Sequence, residues 1–335
     1  MIFINKSIKM VRKLLKENLI TSHRLNRVLG GYCGTHNIKQ YMFENEEDFD
    51  PFGHIDSSDV ITEPIDADKD CILTFNQGEG NSKLEWPYFS LPAGFTCPFA
   101  TVCKTFAAEP GGKKFSDGSS LLQGKEAEFR CYAARAQAQY PNAYKNAHRN
   151  LDLLIGAGKE NGVEGMKDLL VKSIKHNGLE NEKVIRVHES GDFFTNTYFK
   201  AWMETARELP NILFYAYTTS LKFWLANKAS IPNNFKLIAS MDKKNAQTII
   251  DNNLRYSVVV YTPEEAKELG LKIDVDDTLA WGTDDNFALL LHGGQPAGSE
   301  AAKAIKRNKK AGTYDKIKQL YKANQKQKKE KLKNL

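Results

Sequence analysis

The segment KVIRVHESGDFFTNTYFKAWMETARELPNILFYAYTTS, residues 183–220, decides the fold class of this chain. It begins with a β-rich run at 183–189, and a second, more apolar run follows at 212–218. Between these runs, residues 197–209 have the periodicity of an amphipathic helix. A strand, a helix and a strand in this order predict two parallel strands of one sheet with a helix covering them.

The same alternation continues on both sides of this segment. Further strands are predicted at 86–91, 235–241, 256–261 and 287–292, and further helices within 133–175 and at 220–229, 245–253 and 263–269. This pattern predicts an α/β fold with parallel strands, and six such units favour a partial or complete (β/α) barrel. The chain lacks a GxGxxG motif and a P-loop lysine motif, so the pattern does not favour a nucleotide-binding Rossmann sheet.

Charge divides the 335 residues into three predicted parts. Residues 1–79 form an N-terminal extension with a basic helix, and its acidic linker at 44–70 has 11 acidic residues and one lysine. Residues 80–302 form the barrel-like domain, and residues 303–335 form a Lys-rich helical tail with a charge balance of +11. Because the whole chain has a net charge of +6, the rest of the chain is acidic. The tail therefore predicts DNA or RNA as a partner, and a solvated tail that aids solubility is the alternative.

Composition also predicts the compartment. The sequence has no apolar run of about 18 residues, so no membrane span is predicted. Five cysteines, an odd number, without a recognisable export signal favour a reducing cytoplasm, which is the host cytoplasm if a phage encodes the chain.

Three of the cysteines mark a candidate metal site. Cys97 and Cys103 lie six residues apart in a turn-rich loop, and Cys131 precedes a predicted helix. Exposed N–H groups at a helix N-terminus stabilise thiolates. Three clustered thiolates suit a [4Fe–4S] cluster with one open iron, or a zinc ion with a fourth ligand from another part of the chain.

Polar residues follow the predicted strands, where a barrel places its chemistry. These strand-end residues are His188, Glu189, Asp192, Thr218, Ser240 and His292. Together with the cysteines they predict one functional rim. Each residue also has a structural explanation, because Asp192 could cap a helix, Ser240 could belong to a turn and His188 could be a hydrogen-bonded rim histidine.

Four blocks in order resemble the phage "gene product 88" family, which is similar to radical-SAM barrels. The blocks are TCPFATVC (96–103), CYAARAQAQYPNAY (131–144), residues 186–220 and LLLHGGQPAGSEAAKA (289–304). The resemblance implies that Cys97, Cys103 and Cys131 hold the cluster. It also implies that the site includes His188, Glu189, Gly191 and Asp192. The cysteine spacing differs from the CxxxCxxC usual in radical-SAM enzymes, since five residues separate the first pair and 27 the second.

Three functions follow from these patterns. The first is a radical-SAM-like enzyme that acts on a nucleotide or nucleic acid, with S-adenosylmethionine (SAM) at the open iron. In this enzyme His188, Glu189 and Asp192 are catalytic, and Gly191, Thr218, Ser240 and His292 bind the cofactor. The second is a nucleic-acid-binding replication or accessory protein with a structural metal. The third is a zinc protein that uses the same cysteines with His188 or His292. The particular substrate within this class and the oligomeric state are not predicted.

Overall fold

The computed structural model describes residues 71–77, 86–320 and 322. The basic helix and the acidic linker predicted in the N-terminal extension lie outside these residues. The strands are β1 (Phe75–Asn76), β2 (Tyr88–Ser90), β3 (Thr105–Ala107), β4 (Leu121–Gln123), β5 (Val184–Ser190), β6 (Leu213–Thr218), β7 (Phe235–Met241), β8 (Tyr256–Val260), β9 (Lys272–Ile273) and β10 (Phe287–Leu290). The helices are α1 (Tyr132–Gln139), α2 (Pro141–His176), α3 (Asn196–Glu208), α4 (Leu221–Ala226), α5 (Ala246–Asp251), α6 (Pro263–Glu268), α7 (Thr278–Gly282) and α8 (Glu300–Lys310).

Eight of these strands form one mostly parallel sheet in the order β1-β2-β5-β6-β7-β8-β10-β9. Only the pairing of β1 with β2 is antiparallel. The predicted parallel α/β fold is therefore confirmed. Within the described residues no strand pair closes the sheet into a ring. From β2 to β8 the strands lie side by side in chain order, so all their carboxyl ends meet at one edge.

One face of the sheet packs against helices because alternate side chains of each strand point to that side. Phe214 of β6 and Leu237 of β7 are buried there with Trp202 of α3. The phenyl ring of Phe214 lies 5.9 Å from the indole of Trp202 and stacks on Phe235 at 6.0 Å. This face, with α2, α3 and α4, holds the main hydrophobic core of the described residues.

The other face carries a smaller apolar cluster near the amino ends of the strands. Trp86 packs edge-on against Trp281 of α7 at 5.5 Å and donates a hydrogen bond of 2.7 Å to the hydroxyl of Tyr215. Val184 and Phe287, the first residues of their strands, belong to the same cluster. Large side chains therefore fill this face at one end of the sheet and leave the carboxyl ends free for polar groups.

The predicted elements of the sheet agree well with the structure. The strand predicted at 235–241 has the same bounds as β7, and the helix predicted at 197–209 is α3. The hairpin of β3 and β4 was not predicted, because a Gly-, Lys- and Ser-rich stretch separates its two short strands.

The beginning of the Lys-rich tail packs on the body. The helix α8 crosses the predicted boundary at 302/303, with Ala304 fully buried. The side chain of Asn308 donates to the carbonyl of Tyr261 at 2.7 Å, and the hydroxyl of Tyr314 donates to the carbonyl of Leu291 at 2.7 Å. No helix among the described residues is both long enough and apolar enough to span a membrane.

Candidate functional site

A cavity of about 1610 Å³ opens at the carboxyl ends of the strands. Its wall includes nine of the ten predicted site residues: Cys97, Cys103, Cys131, His188, Glu189, Gly191, Asp192, Ser240 and His292. Thr218 is buried behind the wall and hydrogen-bonds to Asp192. Segments that are far apart in the sequence thus meet around one space, as expected for the edge where parallel strands end.

Thr105 connects the backbones of two of the cysteines. Its buried hydroxyl donates to the carbonyl of Cys103 at 3.1 Å and accepts from the N–H of Cys131 at 3.1 Å. The hairpin strand β3, which begins at Thr105, therefore holds Cys103 next to the N-terminus of α1. Sequence reasoning missed this residue because threonine is common in strands and the contact spans 26 residues.

Lys104 connects the remaining cysteine to the same hairpin. Its ammonium group donates to the carbonyl of Cys97 at 2.7 Å. Burial lowers the pKa of Lys104, whereas the Cys97 and Cys103 thiols and the Asp192 carboxylate act to raise it. An ammonium group near Cys97 and Cys103 can therefore balance part of the negative charge of their thiolates.

The three thiols affect one another's ionisation. Burial, followed by the Asp192 and Cys131 charges, raises the pKa of Cys97 to about 12, while Lys104 acts to lower it. Burial and then the other two cysteines raise the pKa of Cys103 well above its ordinary value. Burial also raises the pKa of Cys131, while the N–H groups of Ala133 and Ala134 act in the opposite direction. A cation or cationic cluster would relieve this repulsion, because it stabilises thiolates.

The donor chemistry at this position fits an iron–sulfur cluster. Three soft sulfur ligands face one cavity, and the Cys131 thiol lies at the N-terminus of a helix. Within the described ranges, no three His, Cys, Asp or Glu side chains form a ready-made group of ligands for a metal ion.

His188 is a buried and neutral histidine. Its Nε2 lies 3.0 Å from the hydroxyl of Tyr198, and its Nδ1 has no hydrogen-bond partner in the described structure. Burial, followed by the positive charge of Arg186, lowers the pKa of His188 to about 3. At neutral pH this imidazole therefore has one unused nitrogen at the cavity wall.

Of the two predicted catalytic carboxylates, Glu189 and Asp192, Glu189 is the one that can still accept hydrogen bonds from a ligand. Its Oε2 accepts a hydrogen bond of 3.2 Å from the hydroxyl of Ser90, and its carbonyl accepts one of 2.7 Å from the hydroxyl of Tyr132. Burial raises the pKa of Glu189, while Arg186 and Ser90 act to lower it. A cationic group in the cavity would favour the ionised form.

Asp192 is already saturated with hydrogen bonds. One oxygen accepts from the Phe193 N–H at 2.7 Å and the Thr218 hydroxyl at 2.5 Å. The other accepts from the N–H and the hydroxyl of Thr219, each at 2.7 Å. Thr195 caps α3, so Asp192 is not the cap of that helix. The carboxylate therefore holds the ends of β5 and β6 together next to the cysteines.

Gly191 is required by the close approach of the cysteine loop. Its φ is +88°, and a Cβ at this position would lie 2.6 Å from the Thr96 hydroxyl oxygen and 2.6 Å from the Leu91 Cβ. Of the other predicted cofactor-binding residues, Ser240 lies on the cavity wall, and His292 does so beside Tyr132 with the ring centroids 5.4 Å apart.

A buried ion pair on the wall was not predicted. Arg186 of β5 donates to the Asp277 carboxylate at 2.7 Å and to the Tyr132 hydroxyl at 3.1 Å, and its guanidinium lies 4.9 Å from the ring centroid of Tyr217. Asp277 also accepts a hydrogen bond of 2.9 Å from Tyr215. The sequence contained one sign of this ion pair, which is Arg186, a single arginine inside the β-rich run at 183–189.

Acidic side chains outnumber basic ones on the cavity wall. The acidic residues are Glu128, Glu189, Asp192, Asp242, Glu265, Asp274, Asp277 and Glu300, and the basic residues are Arg130, Arg186 and Lys243. Burial and the Asp277 carboxylate raise the pKa of Asp274 to about 7. This balance favours a cationic or neutral group inside the cavity over a phosphate.

Comparison with known proteins gives one family and one relative. The family model described as "Gene product 88" matches residues 66–313. "Gene 88 protein" of Mycobacterium phage D29 is 29% identical over 119 residues, which cover 34% of this chain. The match spans 48% of that relative, about half its length. No solved structure matches the chain significantly.

Proposed function

The chain belongs to the gene product 88 family, and on this premise we propose that it is an iron–sulfur protein and a radical-SAM-like enzyme acting on a nucleotide or nucleic acid. Cys97, Cys103 and Cys131 hold a [4Fe–4S] cluster in this proposal. The observation that carries it is the meeting of three partly buried cysteines at one cavity, beside the carboxyl ends of parallel strands. The parallel strands from β2 to β8 lie side by side in the order of the chain. One face of their sheet packs against helices and the other faces the cavity, which further supports an open barrel.

Such a cluster supplies one-electron chemistry, and three protein ligands leave one iron open to SAM. The residues of the chain have separate tasks around it. Lys104 and the amide groups of Ala133 and Ala134 favour the thiolate forms. Asp192 keeps the cavity edge rigid through its four hydrogen bonds. Glu189 binds a positively charged amino group or a ribose hydroxyl, because its carboxylate retains free acceptor capacity.

The acidic character of the cavity wall agrees with these roles of the residues. SAM carries a sulfonium and an ammonium group, which the acidic wall attracts. The phosphate of a nucleotide substrate would be repelled from the same wall. A nucleotide therefore reacts through its base or sugar, with its phosphate outside the large cavity.

Metal analysis of anaerobically purified protein tests the cluster. We expect iron with matching sulfide and a broad visible absorbance that bleaches on reduction. Cys103→Ala should lose the iron, because two thiolates do not retain the cluster, whereas Cys71→Ala should keep it, since Cys71 packs against the main core. Equal iron in the wild type and Cys103→Ala, or zinc alone, would overturn the assignment.

SAM cleavage tests the enzyme. With dithionite as reductant, iron-loaded protein should slowly convert SAM to methionine and 5′-deoxyadenosine, with two electrons and one proton taken up per SAM. Iron-loaded, reduced protein that never cleaves SAM would leave an iron–sulfur protein without this activity.

A second candidate function is nucleic-acid binding with a structural metal. The helix α8 favours it, because its exposed basic residues form one surface on the body: Lys303, Lys306, Arg307, Lys309 and Lys310. Replacing Lys306 and Lys310 with Gln should weaken DNA or RNA binding and reduce its salt dependence, since each lost phosphate contact lowers the slope by about 1. Unchanged binding would remove α8 from this role.

A further inference from the structure

A second cavity of about 750 Å³ lies beside the large one. Its wall comes from α1, from α8 and from the loop at 292–295, and His292 lines both cavities. Arg135 of α1 and Lys309 of α8 are the basic groups on this wall, and both are exposed. Asp315 is the one acidic group on it.

Arg135 lies close to a second arginine. Arg130 lines the large cavity, and its Nε is buried without a hydrogen-bond partner in the described structure. Both arginines contact adjacent residues of one loop, since Gln295 hydrogen-bonds to the backbone of Arg130 and Gly294 lies against the guanidinium of Arg135. Among the described residues, no carboxylate forms an ion pair with either group. Two neighbouring cations without a counter-charge are a ready position for an anion.

The loop at 292–295 is shaped to this arginine pair. Gln295 accepts from the N–H of Arg130 at 2.6 Å and donates to its carbonyl at 3.3 Å, so the loop is fixed to Arg130. A Cβ on Gly294 would lie 2.8 Å from Nη1 of Arg135, so the guanidinium packs directly on the glycine. Gly293 has a φ of +81°, a left-handed conformation that favours glycine.

We propose that Arg130, Arg135 and Lys309 form a phosphate-binding subsite for a nucleotide, whose nucleoside part extends past His292 into the large cavity. The ring of Tyr132, beside His292, offers a surface on which a base can stack at the entrance. This inference deepens the proposed function, because it assigns a binding site to the phosphate of the nucleotide substrate. It rests on the proposed function only for the reaction that the bound nucleotide undergoes.

Binding of a fluorescent 20-nucleotide single strand to the full chain, measured by anisotropy, tests this subsite. We expect Arg135→Gln to weaken binding about tenfold, because a guanidinium–phosphate hydrogen bond is charge-assisted. The slope of log K against log salt should fall by about 1. Lys200→Gln, which removes one positive charge from the exposed surface of α3, should bind like the wild type. Gly294→Ala should act like Arg135→Gln, since the new methyl group displaces the guanidinium.

Competition identifies the source of the phosphate. Deoxynucleoside 5′-monophosphates should displace the strand from the wild type, whereas the matching nucleosides should not. Arg135→Gln should bind these monophosphates about tenfold less tightly. Inorganic phosphate that competes as well as the monophosphates would overturn the nucleotide assignment. Wild-type affinity in Arg135→Gln and Gly294→Ala would overturn the subsite.

These measurements do not require the cluster. Wild type that holds no iron after anaerobic purification but shows the Arg135 effect would contradict the proposed enzyme and keep the subsite. Iron-loaded protein that cleaves SAM but shows no Arg135 effect would support the proposed enzyme and overturn the subsite.

Discussion

The two faces of the parallel sheet are built from alternate residues of the same strands but have opposite character. On β6, Phe214 points into the helix-covered core, while Tyr217 lines the large cavity. On β5, Val187 is fully buried in the core, while Arg186 makes a salt bridge at the cavity wall. At these core positions stability depends on packing, whereas Arg186 and Tyr217 on the cavity face depend on a specific polar partner, Asp277. Variants of the two faces should therefore fail in different ways.

The largest expected effect is on the core face. Phe214→Ala should lower the free energy of unfolding by about 4 kcal/mol, because it removes a fully buried ring and leaves a cavity. Tyr217→Phe, on the same strand but the other face, should cost less than about 1 kcal/mol, since it loses one long hydrogen bond of 3.3 Å to Asp277. Urea unfolding measures both. Equal losses would show that the faces do not differ in this way.

Breaking the buried ion pair should have the next largest effect. Arg186→Met should cost about 3 kcal/mol, because the Asp277 carboxylate remains at a low-dielectric position without its partner. Asp277 has a φ of +60°, which asparagine tolerates, so Asp277→Asn is a suitable second change. The double variant should recover part of the loss in a double-mutant cycle. Additive losses would indicate that packing, and not charge, determines stability at this position.

The pH dependence of stability should separate the faces further. The pKa of His188 is about 3 in the folded chain and about 6.5 ordinarily, so its protonation favours the unfolded state. Stability from this residue is fully present above about pH 6.5 and is lost as the pH falls. Between pH 7.5 and 5 the wild type should lose about 2 kcal/mol more than His188→Gln, because the slope approaches about 1.4 kcal/mol per pH unit below pH 6.5. Parallel pH curves from urea unfolding would contradict a buried neutral imidazole.

The smallest effect concerns ligand binding at Glu189. Burial raises its pKa, so the carboxylate forms only as the pH rises through that raised value. SAM binding should strengthen over this range, and Glu189→Gln should bind about tenfold more weakly above it and show no such rise. Isothermal titration with SAM between pH 5 and 8 measures this effect. Glu128→Gln, at the cavity mouth beside Lys243, should behave like the wild type. If both variants weaken SAM equally, the acidic wall acts as a whole and Glu189 has no special role.

The sequence by itself determined the sheet and its polar edge. Alternating apolar runs and amphipathic helices are local patterns, so they located β7 residue by residue and α3 within one residue at each end. Parallel strands bring their carboxyl ends to one edge, and this rule alone placed residues as distant as His188 and His292 around one cavity.

Only the tertiary structure decided which partners those residues have. Thr105 positions Cys131 across 26 residues, Arg186 finds Asp277 across 91, and Gln295 holds Arg130 across 165. From the sequence, Asp192 could be either a helix cap or a ligand-binding carboxylate. Its four hydrogen bonds instead join the ends of β5 and β6. Hydrophobic periodicity in the sequence indicates which face of its own helix or strand a residue occupies. The identity of the group opposite depends on contacts between segments that are far apart in the chain, and these form only when the sheet has assembled.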